Sequence, residues 1–353
     1  MQSRECIHLD PALWDLFTCT EEYTSPWRDR HGRFPYYLSR NRSIFSPLVS
    51  RYLVEKGMHP VYPEGRPFAL CLSHDIDFIA YPMRNLAASA ALSLARGKPG
   101  KAWGTMRAGM NRKQGPLRNF RQIMALEKKY GAVSSFYFLA AENGEPDFSY
   151  ALDQVAPDLQ GIAESGWEVG LHASRLAHKD PIQLAREIQR LQRITGSPVL
   201  GCRMHYLAFS VPETWDTLAK AGIRYDASLG YNDCAGFRNG TCHPFRPFDV
   251  RQNREMAIIE IPLHIMDKTL FHDYMDLSID TAWDLTRHLI DETARCHGVA
   301  SVLWHNTSME GEYGEFYEKI LRYGKEKNAW MTSGREVWQW YCHQQDVSPG
   351  SLP

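Results

Sequence analysis

Phe68-Ala69-Leu70-Cys71-Leu72 runs straight into Ser73-His74-Asp75-Ile76-Asp77. The first five residues are apolar and follow Gly65 and Pro67, the pattern of a strand buried on both faces. Two carboxylates stand where it ends. In an extended chain residues i and i+2 share a face, so Asp75 and Asp77 point one way while His74 and Ile76 point the other. Like charges that close repel unless a cation or a proton lies between them. The pair is therefore a site if other polar groups converge on it, and otherwise two solvated loop aspartates.

From residue 68 onward apolar runs alternate with amphipathic segments, and seven further strands are predicted at 133–139, 167–171, 199–203, 223–226, 257–262, 299–304 and 329–332. Between the third and fourth strands lies a complete helix signal. Asp180 is its N-cap, Pro181 its first residue, Leu184, Ile188 and Leu191 form one face, and Gly196 ends it. A second helix follows Pro212, with Trp215, Leu218 and Ala219 inward and Gly222 as terminator. Strands alternating with helices imply parallel βαβ units, hence an α/β fold closing as a (β/α) barrel of seven or eight parallel strands.

Such a barrel carries its chemistry at the C-terminal ends of the strands. Asp75 and Asp77 end the first strand, His172 the third, Arg203 and His205 the fourth, Asp226 the fifth, His264 the sixth and His305 the seventh. One histidine at a strand end is ordinarily a satisfied rim residue. Several at successive strand ends, beside paired aspartates, point to a site.

A net charge of -1 argues against a nucleic-acid partner. The first ten residues lack the apolar core of a signal peptide and nowhere do 18 apolar residues run together, so a cytoplasmic protein is expected. The eight cysteines are scattered with no CxxC pair, which favours free thiols over disulfides or a structural zinc site; Cys234 with Cys242-His243 is the one candidate knuckle.

The chain divides into an N-terminal cap segment at 1–65, a barrel at 66–345 and a tail at 346–353. The cap is aromatic and mixed in charge, as in Glu21-Glu22-Tyr23 and Asp29-Arg30-His31-Gly32-Arg33-Phe34, and has no metal-ligand or nucleophile spacing. In the first βα connection, at about 80–120, no acidic residue occurs, yet Arg84, Arg96, Lys98, Lys101, Arg107, Arg112, Lys113 and Arg118 do. This basic, partly helical insertion reads either as a solvated loop or as a surface for anionic lipid headgroups or a diphosphate-linked glycan.

One carboxylate and two imidazoles at a barrel mouth make an oxygen and nitrogen site suited to Zn2+ or a similar divalent ion, with a position open to water. Such an ion lowers the pKa of water from about 15.7 to about 7. Hydrolysis of an amide or ester then needs a base for the water, a donor for the oxyanion and an acid for the leaving group.

The same residues resemble the polysaccharide deacetylases, carbohydrate esterase family 4 with the NodB-homology fold. The family's Thr-Phe-Asp-Asp motif resembles Ser73-His74-Asp75-Ile76-Asp77, with one more residue between the carboxylates. Its Arg-x-Pro-Tyr resembles Arg203-Met204-His205-Tyr206, with histidine in place of proline, and its Leu-x-His is matched by Leu303-Trp304-His305. The His-Ser/Thr-x-x-His motif fits in part: His172 is the first histidine, Leu176 stands where the second falls, and His178 comes two residues later. A branch of the family is more similar still. It carries His-Asp-x-Asp, Arg-x-His-Tyr-Leu, a Gly-Phe-Arg-x-Gly-Thr stretch (here Gly236 to Thr241) and Trp-His-Asn (here Trp304 to Asn306).

The resemblance implies a NodB-like barrel in which Asp75 is the general base and Arg203 keeps it ionised and oriented. Asp77 and His172 would be metal ligands, with His205 or His178 as the third. His305 would protonate the leaving amine beside a carboxylate, either Asp226 or Asp267, and a main-chain amide near Tyr206 would share the oxyanion with the metal. It further implies a metal-dependent hydrolase removing an N-acetyl or N-formyl group from an amino sugar in cell-surface polysaccharide biosynthesis, acting on a glycan or on a lipid- or nucleotide-linked sugar. With no export signal evident, the cytoplasm is expected, the basic insertion resting against the inner membrane face. Two other readings stand beside this one: a non-sugar amidohydrolase of the same fold, with or without metal, and a non-catalytic glycan-binding protein. A serine hydrolase lacks its Gly-x-Ser-x-Gly elbow.

Overall fold

Strand β1, Ala69–Ile76, is buried at every position and lies inside a nine-stranded sheet. The computed structural model to which it belongs describes residues 10–80, 103, 117–272 and 274–346, so most of the basic insertion lies outside the described residues. The other strands are β2 Ser135–Leu139, β3 Glu168–Ala173, β4 Gly201–Met204, β5 Tyr225–Asp226, a separate antiparallel hairpin of β6 Phe248–Asp249 and β7 Arg254–Glu255, then β8 Ile259–Glu260, β9 Ile265–Met266, β10 Val299–Leu303 and β11 Trp330–Thr332. Their order in the sheet is β8-β5-β4-β3-β2-β1-β10-β9, with β11 also on β1, and every ladder in it is parallel. Among the described residues no helix is long and apolar enough to cross a membrane.

The expectation of a (β/α) barrel holds, with a correction to the strand count. The predicted strand at 257–262 is only the dipeptide β8, and a further dipeptide, β9, follows it. Pro262 between them has no N–H to give to a ladder. Before it, Ile261 donates to the Asp226 carbonyl (2.9 Å); after it, Leu263 donates to Leu229 (3.0 Å) and His264 to Ser301 (3.3 Å). The two outer strands of the sheet thus meet on one continuous segment, and the barrel closes through that segment.

Alternation along β1 sorts its side chains. Leu70 and Leu72 pack outward with Ile290, Trp304 and Ile320, whereas Ala69 and Cys71 face an inner cluster with Tyr137, Tyr225, Val337 and Tyr341. Large aromatics inside the barrel leave no space for side chains beside them. A Cβ on Gly201 would fall 2.1 Å from the Tyr225 ring, and one on Gly170 2.6 Å from Tyr137. The guanidinium of Arg203 lies over the Tyr137 ring, 5.1 Å from its centroid, so the inner layers rise from tyrosine to arginine to Asp75.

The helix Pro181–Thr195 begins where the sequence predicts. The Asp180 carboxylate accepts from the amides of Ile182 and Gln183, both at 3.0 Å, and Gly196 at φ 66° ends it.

The N-terminal segment carries the helices Pro11–Phe17, Thr20–Thr24 and Leu48–Glu55 and packs on residues 230–243. The stretch Gly236 to Thr241 receives it. Gly236 (φ 131°) leaves room for the Ile44 carbonyl, which would be 2.5 Å from a Cβ, and Gly240 (φ 71°) for Leu16. Between them Arg238 forms a buried ion pair with Glu22 at 2.6 Å.

Candidate metal centre

At the end of β1 the alternation delivers Asp75 and Asp77 to the barrel mouth and turns His74 outward, where it contacts the Trp304 carbonyl (2.6 Å) and Glu127 (2.9 Å). His172 arrives from β3, two strands away. Its Nδ1 lies 3.0 Å from the Arg203 carbonyl, and since a carbonyl only accepts, Nδ1 carries the hydrogen. Its Nε2 faces Oδ1 of Asp77 at 3.3 Å and Oδ2 of Asp75 at 3.6 Å. His205, just past β4, puts Nε2 3.7 Å from the same Asp77 oxygen, while its Nδ1 lies 3.3 Å from Asp147.

One ligand atom from each of Asp77, His172 and His205 lies within 4.8 Å of the others, all three residues being buried. Oδ1 of Asp77, at the centre of this group, is buried and accepts no hydrogen bond. A buried carboxylate oxygen left without a partner is costly, and an acceptor flanked by two imidazole nitrogens is the donor set of a divalent ion. The residues fit such an ion. Burial alone would raise the Asp77 pKa, but Lys268 and the surrounding histidines outweigh it and hold the carboxyl well below its usual range. His172 shows the converse: burial would lower its pKa, yet Asp75 and Asp77 raise it.

Of the two histidines proposed as third ligand, only His205 joins the group. His178 does not. After Ala173 the chain turns away because Glu187 holds both the amide (2.9 Å) and the hydroxyl of Ser174, and Asp147 holds the Arg175 amide (2.6 Å). The His178 ring closes that turn on the Arg175 carbonyl at 2.5 Å.

Asp75 is flanked on its far side by Arg203, Nε to Oδ1 at 3.9 Å, and Arg203 is itself steadied by the Ser73 hydroxyl at 3.1 Å. His305, past β10, comes within 3.7 Å of Asp77 through Nε2 and holds Oδ1 of Asp267 through Nδ1 at 2.6 Å. Burial would raise the Asp267 pKa, but His305 beside it carries it down to about 2. The choice between Asp226 and Asp267 is thereby made. Asp226 is turned to the Ser228 hydroxyl (2.7 Å) and amide (3.0 Å), and burial raises its pKa. His264, predicted at the sixth strand end, also stands apart: it accepts from the Ser301 amide (3.1 Å) and donates to the Thr241 carbonyl (3.3 Å).

The sequence reading missed Lys268 and Asp147. Lys268 sits 2.6 Å from Oδ2 of Asp77. It follows a two-residue strand, too short to show a period. Asp147 lies in the loop after β2 in a left-handed conformation (φ 66°), and no strand-end argument reaches it.

These groups open into a cavity of about 330 Å³, whose outer wall is Arg30, His31 and Arg33 of the N-terminal segment. Tyr206, at φ 58°, stacks between His31 and His205 at ring distances of 4.9 and 3.9 Å. A cavity of about 550 Å³ among the N-terminal helices is larger but shares no residue with this one.

No family model and no curated protein matches the chain. Among solved structures it is similar to a candidate polysaccharide deacetylase from Mycobacterium smegmatis, with TM-score 0.57 and 17% identity over 84% of this chain and 97% of that one. At TM-scores of 0.40 and 0.42 it also aligns with the peptidoglycan deacetylase PdaC of Bacillus subtilis and with a CE4 family pseudoenzyme of Bacillus anthracis. Both are 12% identical; they cover 81% of this chain and 96% and 71% of their own. The first likeness establishes a shared fold, an α/β barrel of the polysaccharide deacetylase type.

Proposed function

We propose that the chain is a metal-dependent hydrolase that removes an N-acetyl or N-formyl group from an amino sugar. The observation that carries this reading is the unpartnered Oδ1 of Asp77 between His172 and His205, with Asp75–Arg203 on one side and His305–Asp267 on the other. Asp77, His172 and His205 would hold the ion, Zn2+ being the natural candidate for this donor set. When bound, it supplies a Lewis acid and a water acidic enough to ionise near neutral pH.

The chain's own residues do the rest. Asp75 accepts the proton of the attacking water, and Arg203 keeps that carboxylate charged and aimed. His305 gives its Nε2 proton to the departing nitrogen, while Asp267 holds the ring and stabilises its positive form. A main-chain amide near Tyr206 helps to hold the oxyanion. The substrate in this reading is an amino sugar of a surface glycan, free in a chain or linked to lipid or nucleotide, and the basic insertion would meet anionic headgroups at the inner membrane face. The test is acetate release from N-acetylated sugars with added Zn2+ or Co2+, and its loss in Asp75→Asn and His305→Ala. Full activity in both variants would refute these roles.

A second reading, a metal-independent amidohydrolase, draws support from Lys268, whose ammonium itself brings a positive charge to Asp77. Metal analysis of the purified active protein separates the two.

A further inference from the structure

The two histidines of the metal group are held in different ways. Nδ1 of His172 has a formed hydrogen bond, to the Arg203 carbonyl at 3.0 Å. Nδ1 of His205 is buried without one, and the carboxylate that faces it is Asp147, whose Oδ2 lies 3.3 Å away but off the line of a hydrogen bond. We propose that Asp147 is a positioning residue of the metal centre: its carboxylate takes the Nδ1 hydrogen of His205 and so selects the ring edge that meets the ion. This rests on the metal-dependent reading above and adds to it a residue outside the ligand set.

The stack on His205 leaves that selection open. Tyr206 covers the His205 ring at 3.9 Å and 25°, and His31 of the N-terminal segment covers Tyr206 at 4.9 Å and 18°. Stacking fixes the plane of an imidazole. It does not distinguish the ring from the same ring turned over about Cβ–Cγ, in which Nδ1 changes place with Cδ2 and Nε2 with Cε1. A carboxylate does distinguish them, because the nitrogen edge offers it an N–H donor. With Nδ1 turned to Asp147, Nε2 is left toward Oδ1 of Asp77 at 3.7 Å, and a neutral imidazole that ligates through Nε2 carries its hydrogen on Nδ1.

Asp147 is itself built in. Its side chain is 7% exposed, Oδ2 accepts from the Arg175 amide at 2.6 Å, and Oδ1 accepts from Nε of Arg175 at 3.2 Å. The turn that carries this amide is fixed by Glu187, which accepts from the Ser174 amide at 2.9 Å. The Asp147 backbone stands at φ 66°, a left-handed conformation that a residue with a side chain keeps only where its surroundings over-determine it. Here that conformation sets the carboxylate between the loops after β3 and β4. The loop after β3 places His178 away from the metal group, and what it brings to the centre is the grip on this carboxylate. A carboxylate behind a ligating imidazole fixes its tautomer and raises its basicity, and its loss typically costs about 10- to 100-fold in metal affinity.

The experiment measures Zn2+ affinity by competition with a chelator on the full native chain and on Asp147→Asn, with the visible absorption of bound Co2+ as a second readout. The native chain is expected to take up the ion. Asp147→Asn is expected to bind it about 10- to 100-fold more weakly and to shift the Co2+ bands, while the metal-free variant melts with the metal-free native chain. Unchanged Zn2+ affinity in the variant, with or without lost stability, leaves Asp147 a loop-holding role alone and overturns the proposal while the metal-dependent reading stands. A native chain that binds no ion overturns both. Should Asp147→Asn fail to fold, the native chain labelled with 15N-histidine decides. Zn2+ is expected to bring out a slowly exchanging Nδ1–H on His205, and Zn2+ binding without that signal overturns the proposal.

Discussion

Lys268 places its ammonium 2.6 Å from Oδ2 of Asp77, on the carboxylate oxygen that does not face His172 and His205. One oxygen of Asp77 is thus satisfied by a fixed cation, and the other is left bare at the centre of the histidine pair. Lys268 orients the carboxylate, and it also repels any divalent ion bound a few ångströms away. Removing the charge while keeping the stem, Lys268→Met, is expected to tighten Zn2+ binding on the order of tenfold or more in competition with a chelator, with Lys268→Arg near the native value. Weaker binding in Lys268→Met would show that orientation of Asp77 is the larger contribution.

The His305–Asp267 pair makes a second prediction. At 2.6 Å, and with the Asp267 pKa down at about 2, the carboxylate stays charged through any workable pH and fixes the imidazole ring. General acid catalysis by a positioned side chain contributes roughly 10²- to 10⁴-fold. His305→Ala is expected to lose about that factor in kcat, and Asp267→Asn a large part of it, with Zn2+ stoichiometry unchanged in both. Loss of the metal in Asp267→Asn would mean that Asp267 serves the ligand set instead.

Which parts could be read from the chain follows from element length. β1, β3, β4 and β10 have four or more residues each, long enough for their ends to be located, and Asp75, Asp77, His172, Arg203 and His305 fell at the mouth. β8 and β9 are dipeptides whose pairing is imposed by their neighbours, and Lys268 and Asp267 come with them. His178 and His205 could not be told apart by spacing, because the turn that removes His178 is set by side-chain bonds from Glu187, 13 residues after Ser174 on the helix Pro181–Thr195. The role of Gly236 and Gly240 was likewise hidden: each is required by a residue of the N-terminal segment about 190 to 225 positions away, Ile44 and Leu16.

The Glu22–Arg238 pair gives a third test. It lies fully buried where the N-terminal segment docks, with Arg238 also donating to the Gly230 carbonyl at 2.8 Å. Breaking a buried pair from one side leaves an uncompensated charge and costs roughly 3–5 kcal/mol. Glu22→Gln and Arg238→Met are each expected to lower stability to denaturant by about that amount, and the double variant by less than their sum. Additive losses would mean that the two residues do not act as a pair.

His264 supplies a pH dependence from outside the candidate metal group. It is buried, accepts from the Ser301 amide at Nδ1 and donates to the Thr241 carbonyl at Nε2, and burial pushes its pKa down to about 4. Unfolded, it titrates near 6.5, so between these values the unfolded chain binds the proton and the folded one does not. Stability is therefore fully present above about pH 6.5 and falls by about 1.4 kcal/mol per pH unit as the pH drops toward 4. Buried carboxyls with raised pKa values, Asp226 and Glu260 among them, act in the opposite sense, so the histidine must be isolated by difference. In His264→Gln the amide can make the same two hydrogen bonds but takes no proton. Denaturation curves of the two proteins should converge by about 1.4 kcal/mol per pH unit below pH 6.5, because only the native chain pays the protonation cost. If the curves stayed parallel from pH 7 to 5, His264 would have to be protonated in the folded state already, and its bond from the Ser301 amide would not exist.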